Sequence, residues 1–204
     1  MKGDVRDQLK AIKQSFRFYM NGQTAQSMRE KGVNYKVNWG IDLITLKKMA
    51  KEIGYNYELS INLWKENSRE CKILATYIMP PKKLLIEVAE IWIDQVEIIE
   101  IGELLAFNLL RYTDYAKKLA FQTISTDDSI KQIIGYNILS GLFTDNMLTE
   151  TKDINEFIDQ AEVALCDSTL QVKQAVYRCF TRFSSMGKTY EKITKNVLSR
   201  FKLI

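Results

Sequence analysis

The sequence predicts an all-α protein built as an α-solenoid, an α-α superhelix of antiparallel helix pairs. Apolar residues recur at three- and four-residue intervals along nearly all of its 204 residues, which is the helical period. Only two prolines, the adjacent Pro80 and Pro81, interrupt that pattern. Connections as short as "GYN", "NSR", "TD" and "MGK" suit antiparallel neighbours. We expect one domain, residues 1–204.

The helical period divides the chain into segments whose apolar stripes can be read directly. In residues 83–97 the stripe is Leu84, Val88, Ile91, Trp92 and Gln95, and in 128–142 it is Ile130, Ile133, Ile134, Ile138 and Gly141. In chain order the predicted helices cover residues 4–20, 23–31, 42–54, 56–66, 69–79, 83–97, 99–112, 114–125, 128–142, 153–166, 169–186 and 188–202.

Composition excludes several classes of protein. Apolar residues make up 46% and charged residues 26%, a globular balance, and no apolar run approaches the roughly 20 residues of a membrane span. The N-terminus "MKGDVRDQLK" has no apolar signal segment, so a cytoplasmic monomer is expected. The three cysteines, without a CxxC pair, are expected to be reduced, buried and inert.

Histidine does not occur in the chain. Its absence excludes Ser-His-Asp and Cys-His catalysis and histidine zinc sites, and no GxxxxGK[ST] phosphate loop is present. Chemistry would depend on carboxylates, Lys, Arg, Tyr or Cys.

Charge is unevenly distributed. The stretch "EIIEIGE" places Glu97, Glu100 and Glu103 on one slanting stripe of a helix. Residues 169–204, by contrast, hold eight Lys or Arg and only one acidic residue, Glu191. A basic surface of this kind suits phosphate contacts, although solvated basic faces are common on proteins that bind nothing anionic.

Three segments together resemble the AlkD-like DNA alkylation repair proteins, a family with HEAT-like repeats. They are "NGQTAQSMREKGVNYKVNWGIDLITLKKMAKEI", "ELSINLWKENSRECKILATYI" and "DSTLQVKQAVYRCFTRFSSMGK", in that order and spacing, and the resemblance covers about residues 21–190. It implies a stack of HEAT-like helical pairs with a basic concave face for duplex DNA. It also implies excision of N3- or N7-alkylated purines without metal or cofactor, because a cationic alkylated base leaves readily once a carboxylate stabilises the sugar cation.

The resemblance also places the family's site residues on this chain. The first tryptophan of the active members falls at Ile99, its neighbouring aspartate at Glu100 and the catalytic aspartate at Glu103. The family arginine falls at Ile133, or with a one-residue shift near Lys131 or Gln132, and the second tryptophan falls at Arg178. The two acidic positions keep a carboxylate in this chain, at Glu100 and Glu103, whereas the two tryptophan positions hold no aromatic residue.

Two functions follow as hypotheses. The first is a duplex-DNA-binding repair protein that slowly hydrolyses the N-glycosidic bond of alkylated purines, with Glu103 and Glu100 as catalytic carboxylates and Lys131, Lys173, Arg178 and Arg182 as DNA contacts. The second is a catalytically silent HEAT-like scaffold that binds a protein or structured nucleic acid.

Overall fold

The computed structural model describes residues 4–202, and within them it contains twelve α-helices, two single-turn 3-10 helices and no strand. Each predicted helical segment overlaps one α-helix, with ends that differ by a few residues, so the all-α prediction is confirmed. The α-helices are α1 Val5–Tyr19, α2 Gly22–Glu30, α3 Leu43–Ile53, α4 Tyr57–Trp64, α5 Arg69–Ile78, α6 Ile86–Asp94, α7 Ile99–Asn108, α8 Ala116–Ile124, α9 Ser129–Thr144, α10 Thr151–Asp167, α11 Leu170–Ser184 and α12 Lys188–Arg200.

The chain divides into two compact units, which we name unit 1 (Met1–Val88) and unit 2 (Ala89–Ile204). The boundary falls inside α6. The sequence-based assignment of residues 1–204 to one domain stays a prediction.

Side-chain caps fix where several helices begin. Asp4, Asn21, Asp42, Asn56 and Asp128 each accept a hydrogen bond from a backbone N–H in the first turn of the helix that follows. These N–H groups have no partner within the helix, so the caps stabilise each start.

The predicted helix 83–97 is shorter than expected and faces differently. Pro81–Lys83 forms a separate 3-10 turn, and α6 buries Ala89, Trp92 and Ile93. Ile91, which we assigned to the inward stripe, is 52% exposed. A short helix after a 3-10 turn can be rotated by packing that its own sequence does not specify.

A buried ion pair fastens the core of unit 1. The Arg69 and Glu70 side chains are 5% and 0% exposed, with their nearest charged atoms 3.5 Å apart. Arg69 donates to the carbonyl of Ile41 at 2.8 Å, and a Glu70 oxygen accepts the N–H of Trp39 at 3.1 Å. Arg69 and Glu70 therefore hold the loop that contains "WGI" in place.

Gly40 is required at the centre of that loop. Its φ of +70° lies in the region that glycine favours, and a Cβ there would lie 2.1 Å from the carbonyl oxygen of Asn21. The segments that carry the family resemblance in unit 1 are thus accounted for by folding.

Helix α9 forms the centre of unit 2. It packs against α7, α8 and α11 and is apolar on nearly every side. Gly135 lets α8 approach, since a Cβ there would lie 2.5 Å from Ile124 and Thr123. Four phenylalanines, from α9, α10 and α11, pack together with contacting ring centroids 4.9–6.3 Å apart: Phe143, Phe157, Phe180 and Phe183.

Two of the three cysteines are buried as expected, Cys71 and Cys179, whereas Cys166 is exposed. The prediction of buried thiols is wrong for Cys166, which lies near the end of α10 on its solvent side. Across residues 4–202, none of the helices has the length and apolar character needed to cross a membrane.

Candidate functional site

The candidate site lies on unit 2, where three helices run side by side. The start of α11 touches the start of α9 through the hydroxyls of Thr169 and Ser129, 3.5 Å apart. Early residues of α7 and α9 also meet, because a Cβ on Gly102 would lie 3.0 Å from Ile134. These contacts make α7, α9 and α11 parallel, with their N-termini at one edge and α9 in the middle.

Glu103 of α7 and Arg178 of α11 meet on this surface. An Oε of Glu103 accepts a hydrogen bond from the Arg178 guanidinium at 2.5 Å. The pair joins the two helices that flank α9, and its side chains are 32% and 55% exposed respectively. Gly102 contributes to this placement because a Cβ there would press against the side chain of Ile134 at 3.0 Å.

Two polar side chains of α9 donate hydrogen bonds to backbone carbonyls of their own helix. Asn137 donates to the carbonyl of Ile133 and Ser140 to that of Tyr136, both at 2.8 Å. Glu100, one turn before Glu103 on α7, is half-buried. Two carboxylates and one guanidinium are therefore the charged groups of α7 and α11 at this site.

The other predicted DNA contacts are dispersed. Lys131, at the start of α9, binds Asp94 at 2.6 Å, and this hydrogen bond raises the pKa of the lysine. Lys173 donates to the carbonyl of Cys166 at 3.0 Å. Arg182 is exposed, one helical turn beyond Arg178 on α11.

Four of the eight basic residues between 169 and 204 bind a partner within the protein. Besides Lys173 and Arg178, Lys195 binds Glu191 at 2.7 Å and Arg200 binds Glu162. Arg182, Lys188 and Lys192 are exposed and have no ion-pair partner among residues 4–202. We name these three the α11–α12 cations.

A sequence profile of the family described as DNA alkylation repair enzyme matches residues 12–178. The chain belongs to this family. No curated protein sequence matches it. One solved structure is similar to this chain, with a TM-score of 0.86 and 19% sequence identity. The match covers 95% of this chain and 83% of the chain in that structure. That structure represents "a new family of proteins related to the HEAT-like repeat DNA glycosylases with affinity for branched DNA structures". The HEAT-like helical fold predicted from the sequence is confirmed.

The structure shows where the positions assigned from the resemblance lie. Ile99 is half-buried at the start of α7, and Ile133 is 1% exposed in the core. Neither can present an aromatic ring or a guanidinium to a ligand. Arg178, at the position of the second tryptophan, binds the carboxylate of Glu103.

No cluster of three or more potential metal ligands occurs within residues 4–202. The charged groups that the pair brings together are a carboxylate and a guanidinium. A guanidinium binds phosphate as readily as carboxylate, so the pair is a possible point of exchange with a nucleic-acid backbone.

One charged surface of unit 1 escaped the sequence reasoning. Helix α1 carries Arg6, Lys10, Lys13 and Arg17 along one face, beside Trp39. The spacing of four, three and four residues is the signal that could have identified it. In the sequence this face is less conspicuous than residues 169–204, where basic residues far outnumber acidic ones.

Proposed function

We propose that this DNA alkylation repair family member binds DNA through unit 2 and that its Glu103–Arg178 ion pair suppresses base excision. The pair is the single observation that carries this proposal. The carboxylate assigned to the catalytic position is bound by a guanidinium at 2.5 Å. The same guanidinium occupies the position assigned to a sugar-packing tryptophan.

The electrostatic reason is direct. Excision of an alkylated purine develops positive charge on the sugar, which a nearby carboxylate stabilises. A guanidinium beside that carboxylate offsets its negative charge and repels the developing cation. The wall that would exclude water is also missing, since Ile99 takes the place of the first tryptophan.

Binding rests on a different set of residues. The α11–α12 cations are exposed and unpaired within the described chain, which suits neutralisation of backbone phosphates. Because the structural relative belongs to a family with affinity for branched DNA, a four-way junction is the first ligand to compare with linear duplex.

The binding experiment replaces the α11–α12 cations with alanine. Affinity for the junction should fall, and the slope of log K against log salt should flatten by about 2–3, since each phosphate contact contributes about 0.9. The control variant, Lys31→Ala/Lys118→Ala/Lys152→Ala, removes the same charge from exposed lysines that have no ion-pair partner within residues 4–202. An equal loss in both variants would show that net charge alone, and not this surface, attracts DNA.

The chemical experiment measures release of alkylated purines from methylated duplex. We expect no release above background from the natural protein, while it still binds the same DNA. Arg178→Met removes the guanidinium and leaves Glu103 unpaired, so any gain in release should require Glu103 and vanish in Arg178→Met/Glu103→Gln. Rapid release by the natural protein would contradict suppression by the pair.

Slow excision is a second candidate function, and the exposure of the pair favours it. Because both side chains contact solvent, a DNA phosphate can compete for Arg178 and release Glu103. Slow release that Glu103→Gln abolishes and Glu100→Gln retains would support this candidate. It would also identify which of the two carboxylates acts.

A further inference from the structure

Helix α1 and Trp39 form a second, separate cationic groove in unit 1. The groove has a volume of about 320 Å³. It is lined by four cationic residues of α1, by Leu9 and Gln14, and by Trp39. No residue of this groove belongs to the site on unit 2.

Three of the four cations are available to a ligand. Lys13 binds Glu66 at 2.6 Å, and this hydrogen bond raises the pKa of the lysine. Arg6, Lys10 and Arg17 are exposed and have no ion-pair partner among residues 4–202. We name these three the cationic row. At about 1.5 Å per residue, the row extends roughly 16 Å along the helix.

Trp39 is held in a fixed position beside this row. Its backbone N–H donates to a carboxylate oxygen of Glu70 at 3.1 Å, and its backbone carbonyl accepts the N–H of Asn21 at 2.8 Å. Trp64 and Trp92 are 2% and 3% exposed, whereas Trp39 is only half-buried. It is therefore the most exposed of the three tryptophans, with its ring 6.4 Å from that of Phe16, and it lines the groove.

We propose that the cationic row and Trp39 bind a single DNA strand, with phosphates on the row and a base stacked on the indole. Cations that follow a backbone beside an aromatic ring are the elements of single-strand recognition. A blunt duplex offers the same phosphates, but its bases are stacked on each other and cannot cover the indole. A gap, a flap or an open fork in DNA supplies such an unpaired strand.

An anionic membrane is a poorer occupant. A basic helix binds a bilayer by inserting its apolar face, but the apolar face of α1 is already buried within unit 1, with Ile12 and Phe16 at 5% and 0% exposure. Only the charged face is available. Charge without apolar insertion would add no contact to the exposed part of Trp39.

The proposal rests on the proposed function only in that both take DNA as the ligand. The test is a titration of the natural protein with an oligothymidylate of about 12 nucleotides. Binding is measured by tryptophan fluorescence and by the anisotropy of a labelled strand. Stacking on Trp39 should quench the indole. Trp39→Leu should lose the quench and weaken binding at least about fivefold, since stacking a base contributes about 1–3 kcal/mol. Trp39→Phe, which keeps an aromatic ring, should retain most of the affinity.

Replacing the cationic row with alanine should weaken binding and flatten the salt slope by about 2, given about 0.7 for each phosphate of a single strand. The control variant defined above should leave the quench unchanged. Circular dichroism of every variant should match that of the natural protein, which separates lost contacts from lost folding.

Three outcomes would overturn the proposal: no quench in the natural protein, unchanged affinity in Trp39→Leu, or equal losses in the row and control variants. Stronger quenching by anionic vesicles or by blunt duplex than by the oligonucleotide would overturn it as well. Alanine at the α11–α12 cations should weaken junction binding and spare the quench. Failure of the function proposed for unit 2 is thereby distinguished from failure of this one.

Discussion

Replacing Glu70 with glutamine should strongly destabilise unit 1. The carboxylate is fully buried and accepts hydrogen bonds from the N–H of Trp39 and the hydroxyl of Ser68, both at 3.1 Å. Glutamine preserves the shape but removes the charge that balances Arg69, which is itself 5% exposed. Leaving one member of a buried pair uncompensated costs about 3–5 kcal/mol.

Urea denaturation monitored by tryptophan fluorescence measures this cost. Two of the three tryptophans, Trp39 and Trp64, lie in unit 1. With a slope of about 2 kcal/mol per molar urea, the midpoint should fall by roughly 1.5–2.5 M. Arg69→Met/Glu70→Gln removes both charges and should be more stable than the sum of the two single effects.

Glu191→Gln is the matched control. Glu191 also pairs with a basic residue, Lys195, and their hydrogen bond lowers the pKa of the carboxyl, but both side chains are largely exposed. It should leave the midpoint unchanged. The buried Arg69–Glu70 pair does not stabilise the fold as argued if Glu70→Gln shifts the midpoint by less than about 0.5 M. The same holds if the effects of the Arg69 and Glu70 substitutions simply add.

Two further predictions follow from burial and backbone geometry. A thiol reagent at pH 8 should modify Cys166 alone in the folded protein, because burial raises the pKa of Cys71 and of Cys179 to about 12; rapid reaction of either buried thiol would contradict that packing. Gly40→Ala should lower the urea midpoint more than Gly32→Ala, since both glycines have positive φ (+70° and +82°) but only Gly40 has a backbone atom in the way; similar shifts would mean that the loop yields easily.

The helices of this protein are largely determined by local sequence. Apolar spacing predicts all twelve, because the 3.6-residue period and the side-chain caps act within a few residues of one another. The exceptions have tertiary causes. Ile91 fits the apolar stripe by spacing yet is exposed, since the orientation of α6 depends on what it packs against.

The candidate site was predictable only in part. The sequence alone places Glu100 and Glu103 on one face of α7, and family resemblance marks Glu103 as the carboxylate of interest. Only the tertiary structure shows that Arg178, 75 residues away, donates a hydrogen bond to that carboxylate. Alignment assigns each position separately, whereas the state of a charged group depends on which charges the fold places beside it.

The same distinction holds for Trp39 and the cationic row. The sequence shows four basic residues at helical spacing and, more than twenty residues later, a tryptophan. Whether they share a groove is decided by the buried Arg69–Glu70 pair and by Gly40, which hold the tryptophan loop in place. Short-range periodicity determines the helices, and long-range contacts determine which of their side chains meet, because the second depends on packing between segments distant in sequence.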